Sequence, residues 1–275
     1  MNRRRHTIPT LALKELRDGI RNRWIAATII LLGTLALVLS FLGSAPSGEL
    51  KVAALEVSVV SLTSLSMYLI PLIALMLAFD ALVGEFENGT MLLLLTYPVR
   101  RWQIIAGKFV GHSTIMLLAI LIGYGTTMAV LIFTNDGDTS GWQAYLAMMA
   151  SSLLLGCAFL TVGYLISSLV RERSVATGLA VATWLLLVVF YDLGLLSALM
   201  LDEGKYISEG LFTTLMLANP ADAYRLFNFT GITEVANLVG ASEIKVGLAA
   251  PLLSMLLWIV VPFLLAVIRF QKREV

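Results

Sequence analysis

Two carboxylates stand inside apolar runs: Asp80 in MLAFDALVG and Asp192, beside Tyr191, in VVFYDLGLL. An unpaired carboxylate is costly in hydrocarbon, so each must face a polar seam, a partner or the membrane interface, and one at the midplane would suit proton-coupled transport. Both fall near the ends of their runs. The first reading is therefore interfacial anchoring, ahead of a gating or transport role and of structural pairing. His6 lies in a basic stretch and His112 in an apolar one, too isolated for a zinc enzyme, and HExxH is absent. Cys157 is the only cysteine and cannot close an intrachain disulfide. Met116, Met128, Met148, Met149, Met200 and Met216 are thioethers of the kind that suit Cu(I). Apolar methionine is more often a flexible packing residue, so no metal site is expected. No GxxxxGK[ST] phosphate loop occurs, and the serines and threonines lack an activating base. The chain reads as having no catalytic residues.

The elements that carry these residues are set by composition. Of 275 residues, 59% are hydrophobic and 13% are charged, with a mean hydropathy of +0.89. A soluble domain carries about 25% charged residues, so an ordinary soluble enzyme is excluded and the solvent is lipid. The net charge of +1 gives no reason to expect a nucleic-acid partner. Stretches of about 20 apolar residues, each able to cross the bilayer core as a helix, occur at 24–42, 59–83, 105–133, 145–170, 175–200 and 246–268. The opening Arg3, Arg4 and Arg5 suggest a signal peptide, but basic residues continue through Lys14, Arg17, Arg21 and Arg23, which fits a retained signal anchor.

Basic residues collect before the first run, between the second and third, between the fourth and fifth, and in the tail. Only Lys51, Lys205, Arg225 and Lys245 fall on the other side, together with most of the acidic residues. The positive-inside rule then puts both termini in the cytoplasm, which agrees with an even number of spans. The expected fold is an all-α integral membrane protein with six transmembrane helices, an N-terminal interfacial helix and a cytoplasmic coupling helix.

Three connections are more than turns. Residues 8–23 repeat Leu11, Leu13, Leu16 and Ile20 near helical spacing, with Lys14, Glu15, Arg17, Asp18 and Arg21 supplying a charged side, as an interfacial amphipathic helix does. Residues 84–104 contain Glu85, Glu87, Asn88 and Gly89, then five apolar residues too few to span, then Pro98, which should separate a pair of short helices ahead of Arg100 and Arg101. Residues 201–243 are rich in apolar residues, which argues against a linker and for short helices broken near Pro220 over the outer mouth. Phe212, Asn219, Pro220, Tyr224, Arg225 and Phe227 are its candidates for docking a periplasmic protein. Gly107 and Gly111 make a GxxxG spacing, read as intrachain packing ahead of an oligomer contact.

The opening LALKELRDGIRNRW, the GEFENGT segment and the following YPVRRWQIIAGK resemble, in this order and on this side of the membrane, the transmembrane subunit of type-2 ABC transporters. The likeness covers essentially the whole chain. With ANPADAYRLF at 218–227, it is nearest to the permeases of systems that mature nitrous oxide reductase. It implies a single permease domain over 1–275 in the bacterial inner membrane. It also implies two copies of the chain, two cytoplasmic ABC ATPases that bind ATP and Mg2+, a periplasmic accessory protein and a copper chaperone as candidate partners. No cofactor is expected on this chain. Glu85 and Glu87 would meet the ATPase. The implied activity is ATP-driven transport or mechanotransmission in support of copper-site maturation, by exporting a sulfur species or assisting copper delivery. A non-transporting scaffold for maturation proteins and a secondary carrier are the alternatives, the latter disfavoured by the absence of a visible inverted repeat.

Overall fold

A computed structural model of the protein describes residues 7–21, 23–44, 54–97, 99–202, 208–231 and 247–273, and within these every regular element is a helix. Helix α1, Thr7–Arg21, buries Leu11, Ala12 and Gly19 along one stripe and leaves Leu13, Ile20, Arg17 and Arg21 exposed. The stripe lies on α6, Arg101–Thr134. The approach is close because α6 offers no side chain there. A Cβ added at Gly107 would meet Leu11 Cβ at 2.6 Å, and one at Gly111 would meet Glu15 Cβ at 2.6 Å. The GxxxG pair thus seats α1 within the chain. Helix α2, Arg23–Ser44, turns away from α1 by 71° and packs on α6 through Gly33 and Gly123.

Helix α3, Ala54–Ala78, and α7, Trp142–Leu169, form the centre of the bundle, with α6 and the last helix, α12 (Ala249–Lys272), against α7. Gly163 lets α7 approach α3 so closely that a Cβ there would sit 2.6 Å from Ala78 Cβ. Several polar side chains inside the bundle find partners within it. Ser66 and Tyr124 hydroxyls lie 2.6 Å apart, Tyr145 donates to Tyr124 O at 2.9 Å, and Ser152 meets Tyr224 OH at 2.9 Å. In hydrocarbon such groups must find partners inside the protein.

The fifth apolar run is one rod with a defect: α8, Arg173–Trp184, a π-helical turn at Leu185–Phe190, then α9, Tyr191–Asp202. Its outer face, including Leu179, Leu186, Phe190, Leu193 and Leu196, is exposed. Among the described residues five helical segments are long and apolar enough to cross a membrane, and α2 makes a sixth when joined to α1 across their bend. The all-α class holds, and the sequence count of six is reached when that bent pair is taken as one span. The start of the last run, Val246, lies outside the described residues, as do 203–207 and 232–246 of the long connection.

One boundary falls elsewhere than expected. The pair of short helices, α4 (Val83–Glu87) and α5 (Thr90–Thr96), is broken at Asn88–Gly89, where Gly89 adopts φ 71°, a conformation that glycine takes without steric cost. Pro98, outside the described residues, follows an extended Tyr97, and after it the chain enters the long α6 directly. In the long connection, α10 (Glu209–Ala218) and α11 (Pro220–Thr230) do break at Pro220, with Asn219 capping α11 by accepting from Ala221 N–H at 2.9 Å. Helix α11 is not a surface element. It inserts among α3, α7 and α12 and buries Tyr224 completely.

Candidate functional site

At the end of the bundle where α1, α4, the start of α6 and the start of α8 meet, charged groups from distant stretches of the chain converge on Lys108. Its side chain is 4% exposed. The Nζ donates to Glu15 Oε1 of α1 at 2.8 Å and to Glu85 Oε1 of α4 at 3.0 Å. Lys14 Nζ adds a second donor to the group, 3.3 Å from Glu85 Oε1. One turn further along α6, His112 Nε2 lies 3.4 Å from Glu15 Oε2, and its Nδ1 lies 2.7 Å from Tyr164 OH of α7. The neutral tautomer that satisfies both contacts carries its proton on Nε2 and accepts from the tyrosine at Nδ1.

Burial pushes the Glu15 carboxyl up, but His112 and Lys108 together outweigh it and hold the group well below the usual carboxylate range. Glu15 is therefore a carboxylate at any ordinary pH. The site is a hydrogen-bonded clasp between the amphipathic α1, the short α4 and the long α6. It forms one wall of a cavity of about 590 Å³, also lined by Asp18, Asp80, Asn88, Thr90 and Arg173.

The rest of this end is wired in a similar way. Ser167 Oγ of α7 accepts from Leu82 N–H and Val83 N–H, both at 3.0 Å, and so caps α4 from a distance. Asp80 pairs with Arg173, and Glu87 accepts from Arg173 N–H at 2.7 Å. Arg101 Nη1 donates to Phe270 O at 2.9 Å and Gln271 O at 3.1 Å, satisfying carbonyls at the C-terminal end of α12. The Arg273 guanidinium stacks over Phe86, 4.1 Å from the ring centroid, and Phe86 meets Phe270 edge-on. Residues Glu85, Glu87 and Arg101 thus all have partners inside the chain. Asn88, Gly89 and Arg100 are exposed, and α5 presents Leu92 and Leu93 at 58% and 65% exposure, next to Tyr97 at 67%. Met91 of the same apolar run is buried.

The other end has its own ion cluster. Arg225 donates to Asp192 Oδ1 at 2.8 Å and Oδ2 at 3.2 Å, and to Asp222 Oδ1 at 2.9 Å. Burial raises the Asp222 carboxyl to about 6, with Arg225 opposing the shift and Asp192 adding to it. Asn219 Nδ2 donates to Leu187 O, 2.5 Å away in the π-helical turn. A π turn displaces carbonyls from their helical partners, and α10–α11 supplies the substitute.

The sequence candidates therefore separate into three fates. Glu15 and Glu85 come together in the clasp, flanked by Lys14, whereas Arg17 and Arg21 stay exposed. Asp80 and Asp192 both have arginine partners, so structural pairing, the least favoured sequence reading, describes them. Asn219, Pro220 and Tyr224 are buried within the chain, while Phe212, Arg225 and Phe227 are half-buried, so α11 packs the bundle before it offers any surface.

Sequence reasoning passed over Lys108, His112, Ser167 and the Leu92, Leu93 and Tyr97 ridge as site residues. A signal existed for the first two. A lysine and a histidine four apart at the start of an apolar helix share a face and require a partner. Only the fold shows that the partner is Glu15.

Residues 10–275 match the family model described as ABC-2 family transporter protein. The chain is 44% identical over 269 residues to the "Probable ABC transporter permease protein NosY" of Stutzerimonas stutzeri, covering 96% of this chain and 97% of that one. It is 42% identical over 271 residues to the protein of the same name in Pseudomonas aeruginosa, covering 97% and 98%. A more distant likeness, 26% identity over 190 residues, joins 61% of the chain to 57% of the uncharacterized protein YhcI of Bacillus subtilis.

Proposed function

The chain belongs to the ABC-2 family of transporter proteins, and from that membership we propose that its basic end is a mechanical coupling site, through which an ATPase moves the helices of the bundle. As the permease subunit of an ABC transporter it is a multi-pass membrane protein that works with ATPase subunits. In this reading both termini and residues 84–104 face the cytoplasm of a bacterial inner membrane. Residues 8–23 lie at the interface, and the connection at 201–243 faces the periplasm. Two copies of the chain meet two separate ATPases, which carry the ATP and its Mg2+.

The observation that supports this most is the α5 ridge. Leu92, Leu93 and Tyr97 form an exposed apolar patch on a helix too short to stand alone, held in place by the charged clasp behind it. An ATPase groove that takes the ridge would press on α4 and α5 as one body. The load passes through Glu85 and Lys108 to α6 and α1, through Ser167 to α7, and through Phe86, Arg273 and Phe270 to α12. These are contiguous hydrogen bonds and ring contacts, a physical route by which one displacement shifts several spans together.

The cargo reading rests on the resemblance to permeases of nitrous oxide reductase maturation: support for the copper site of that enzyme, by export of a sulfur species or help with copper delivery, with a periplasmic accessory protein and a copper chaperone as partners.

The test is co-purification with the neighbouring ATPase. Leu92→Asp with Leu93→Asp is expected to lose the ATPase while inserting normally. Charge reversal at Glu85 and Glu87 is expected to keep some of the binding but uncouple ATP hydrolysis from movement at the outer end. Wild-type ATPase recovery with the double Asp variant would refute the ridge as the contact. For the cargo, deleting the chain should leave nitrous oxide reductase short of copper, and a full copper content would refute that reading.

A further inference from the structure

Beside the clasp lies a second cavity of about 550 Å³, between the C-terminal ends of α7 and α12 and the side of α4. Its charged lining is Arg171, Arg269, Lys272, Arg273 and Glu87. Four cations in one cleft repel each other, and the Arg273 guanidinium is pushed down from its ordinary value by burial, then by Arg171 and Arg269. Among the described residues no carboxylate forms an ion pair with any of the four. Glu87, the acidic residue in the lining, accepts from Arg173 N–H and offsets one of the four positive charges at most. The cleft is thus built with an excess of positive charge that its described lining does not balance.

The surroundings indicate what balances it. The cleft lies where two bilayer-length helices end, so it sits at the level of phospholipid headgroups. Just inside that level the same two helices expose apolar side chains, Leu169 on α7 and Leu265 and Ile268 on α12. A soluble anion would use the cations and ignore these residues. A phospholipid would use both, with its phosphate among the arginines and its chains along Leu169, Leu265 and Ile268. The size of the cleft is within the roughly 300–1,000 Å³ range of small-molecule sites. We propose that the cleft of Arg171, Arg269, Lys272 and Arg273 is a binding site for the phosphate headgroup of an anionic phospholipid, which glues the last helix to the coupling elements. Basic pockets between membrane helices on the side that carries the positive residues are suited to this chemistry.

Arg273 stacks on Phe86 and so also has a packing role, which makes Arg269 and Lys272 the residues to test. The full-length chain, in detergent, is titrated with phosphatidylglycerol and separately with phosphatidylcholine, and retained lipid is read by native mass spectrometry. The wild type is expected to retain phosphatidylglycerol preferentially. Arg269→Gln with Lys272→Gln is expected to weaken this retention about thirty-fold, the loss of two basic side chains near a headgroup. Arg269→Lys with Lys272→Arg, which keeps both charges, is expected to restore most of it, which separates the site from a folding defect. Equal retention of the two lipids, or a double Gln variant that binds like wild type, would overturn the proposal. Displacement of the lipid by millimolar inorganic phosphate would assign the cleft to a soluble anion. Loss of the ATPase with lipid retention unchanged would assign it to a protein contact, and either result overturns the lipid site.

Discussion

Replacing Lys108 by methionine removes the cation from the clasp and little else, since the stem is kept and its length suits the same space. Glu15 Oε1 and Glu85 Oε1 each lie within 3.0 Å of Nζ, so in the variant two carboxylate oxygens face each other across no more than about 6 Å. At an effective dielectric of about 20 their repulsion is roughly 3 kcal/mol. Breaking a buried pair by removing one partner costs about 3–5 kcal/mol in general. The lower end applies here, because the open cavity lets water reach the carboxylates and Lys14 remains beside them. The assay is thermal unfolding of the purified chain in detergent, together with ATP hydrolysis by the assembled transporter. The expected loss is about 3 kcal/mol, or roughly 6–12 °C in Tm on the scale of a domain this size. Coupled hydrolysis should fall as α1 and α4 separate from α6. Adding Glu15→Gln and Glu85→Gln to Lys108→Met removes the repulsion and should recover more than half of the lost stability. A Tm within about 1 °C of wild type for the single variant, or a triple variant less stable than the single one, would refute the clasp as a structural unit.

Gly111→Ala places a Cβ 2.6 Å from Glu15 Cβ and 3.0 Å from Ala12 O, so α1 must move off α6. The expected cost is about 1–3 kcal/mol, with weaker ATPase coupling, and unchanged unfolding would show that α1 is not seated there. At the opposite end, Arg225→Met leaves Asp192 and Asp222 facing one another. It should cost about 3 kcal/mol at neutral pH, and an unaltered Tm would sink the reading. The two ends should answer to pH with opposite sign. Asp222 is raised to about 6 from 3.8, so the native state binds its proton first, and its contribution improves as pH falls from 7 toward 4. Glu15 is depressed, so its contribution is complete above the ordinary glutamate range and is lost only as pH falls below it. An Asp222→Asn variant should flatten the stability profile between pH 7 and 5, and an unchanged profile would assign that slope to other groups.

The membrane class, the span count, the split of charge between the two ends and the amphipathic α1 were legible in the chain, because hydropathy, charge asymmetry and helical period are local properties of sequence. Gly107 and Gly111 announced a close helix contact, and Asn219–Pro220 announced a helix start, since each depends on backbone sterics within a few residues. The break at Gly89 in place of Pro98 was harder to read, because both residues interrupt helices and the choice follows from how Met91 docks into the core.

What tertiary structure alone decided is who pairs with whom. Glu15 and Lys108 are 93 residues apart, Glu85 and Lys108 are 23 apart, and Asp192 and Arg225 are 33 apart. No local pattern selects one buried cation for a given carboxylate. The pairing energy depends on desolvation and on separations of a few ångströms, both set by the helix packing. The sequence determined that charged groups near the bundle ends needed partners, since hydrocarbon offers none. The packing of α1 and α4 on α6 determined that those partners would be one another, turning separate charges into a clasp that ties a surface helix to the spans.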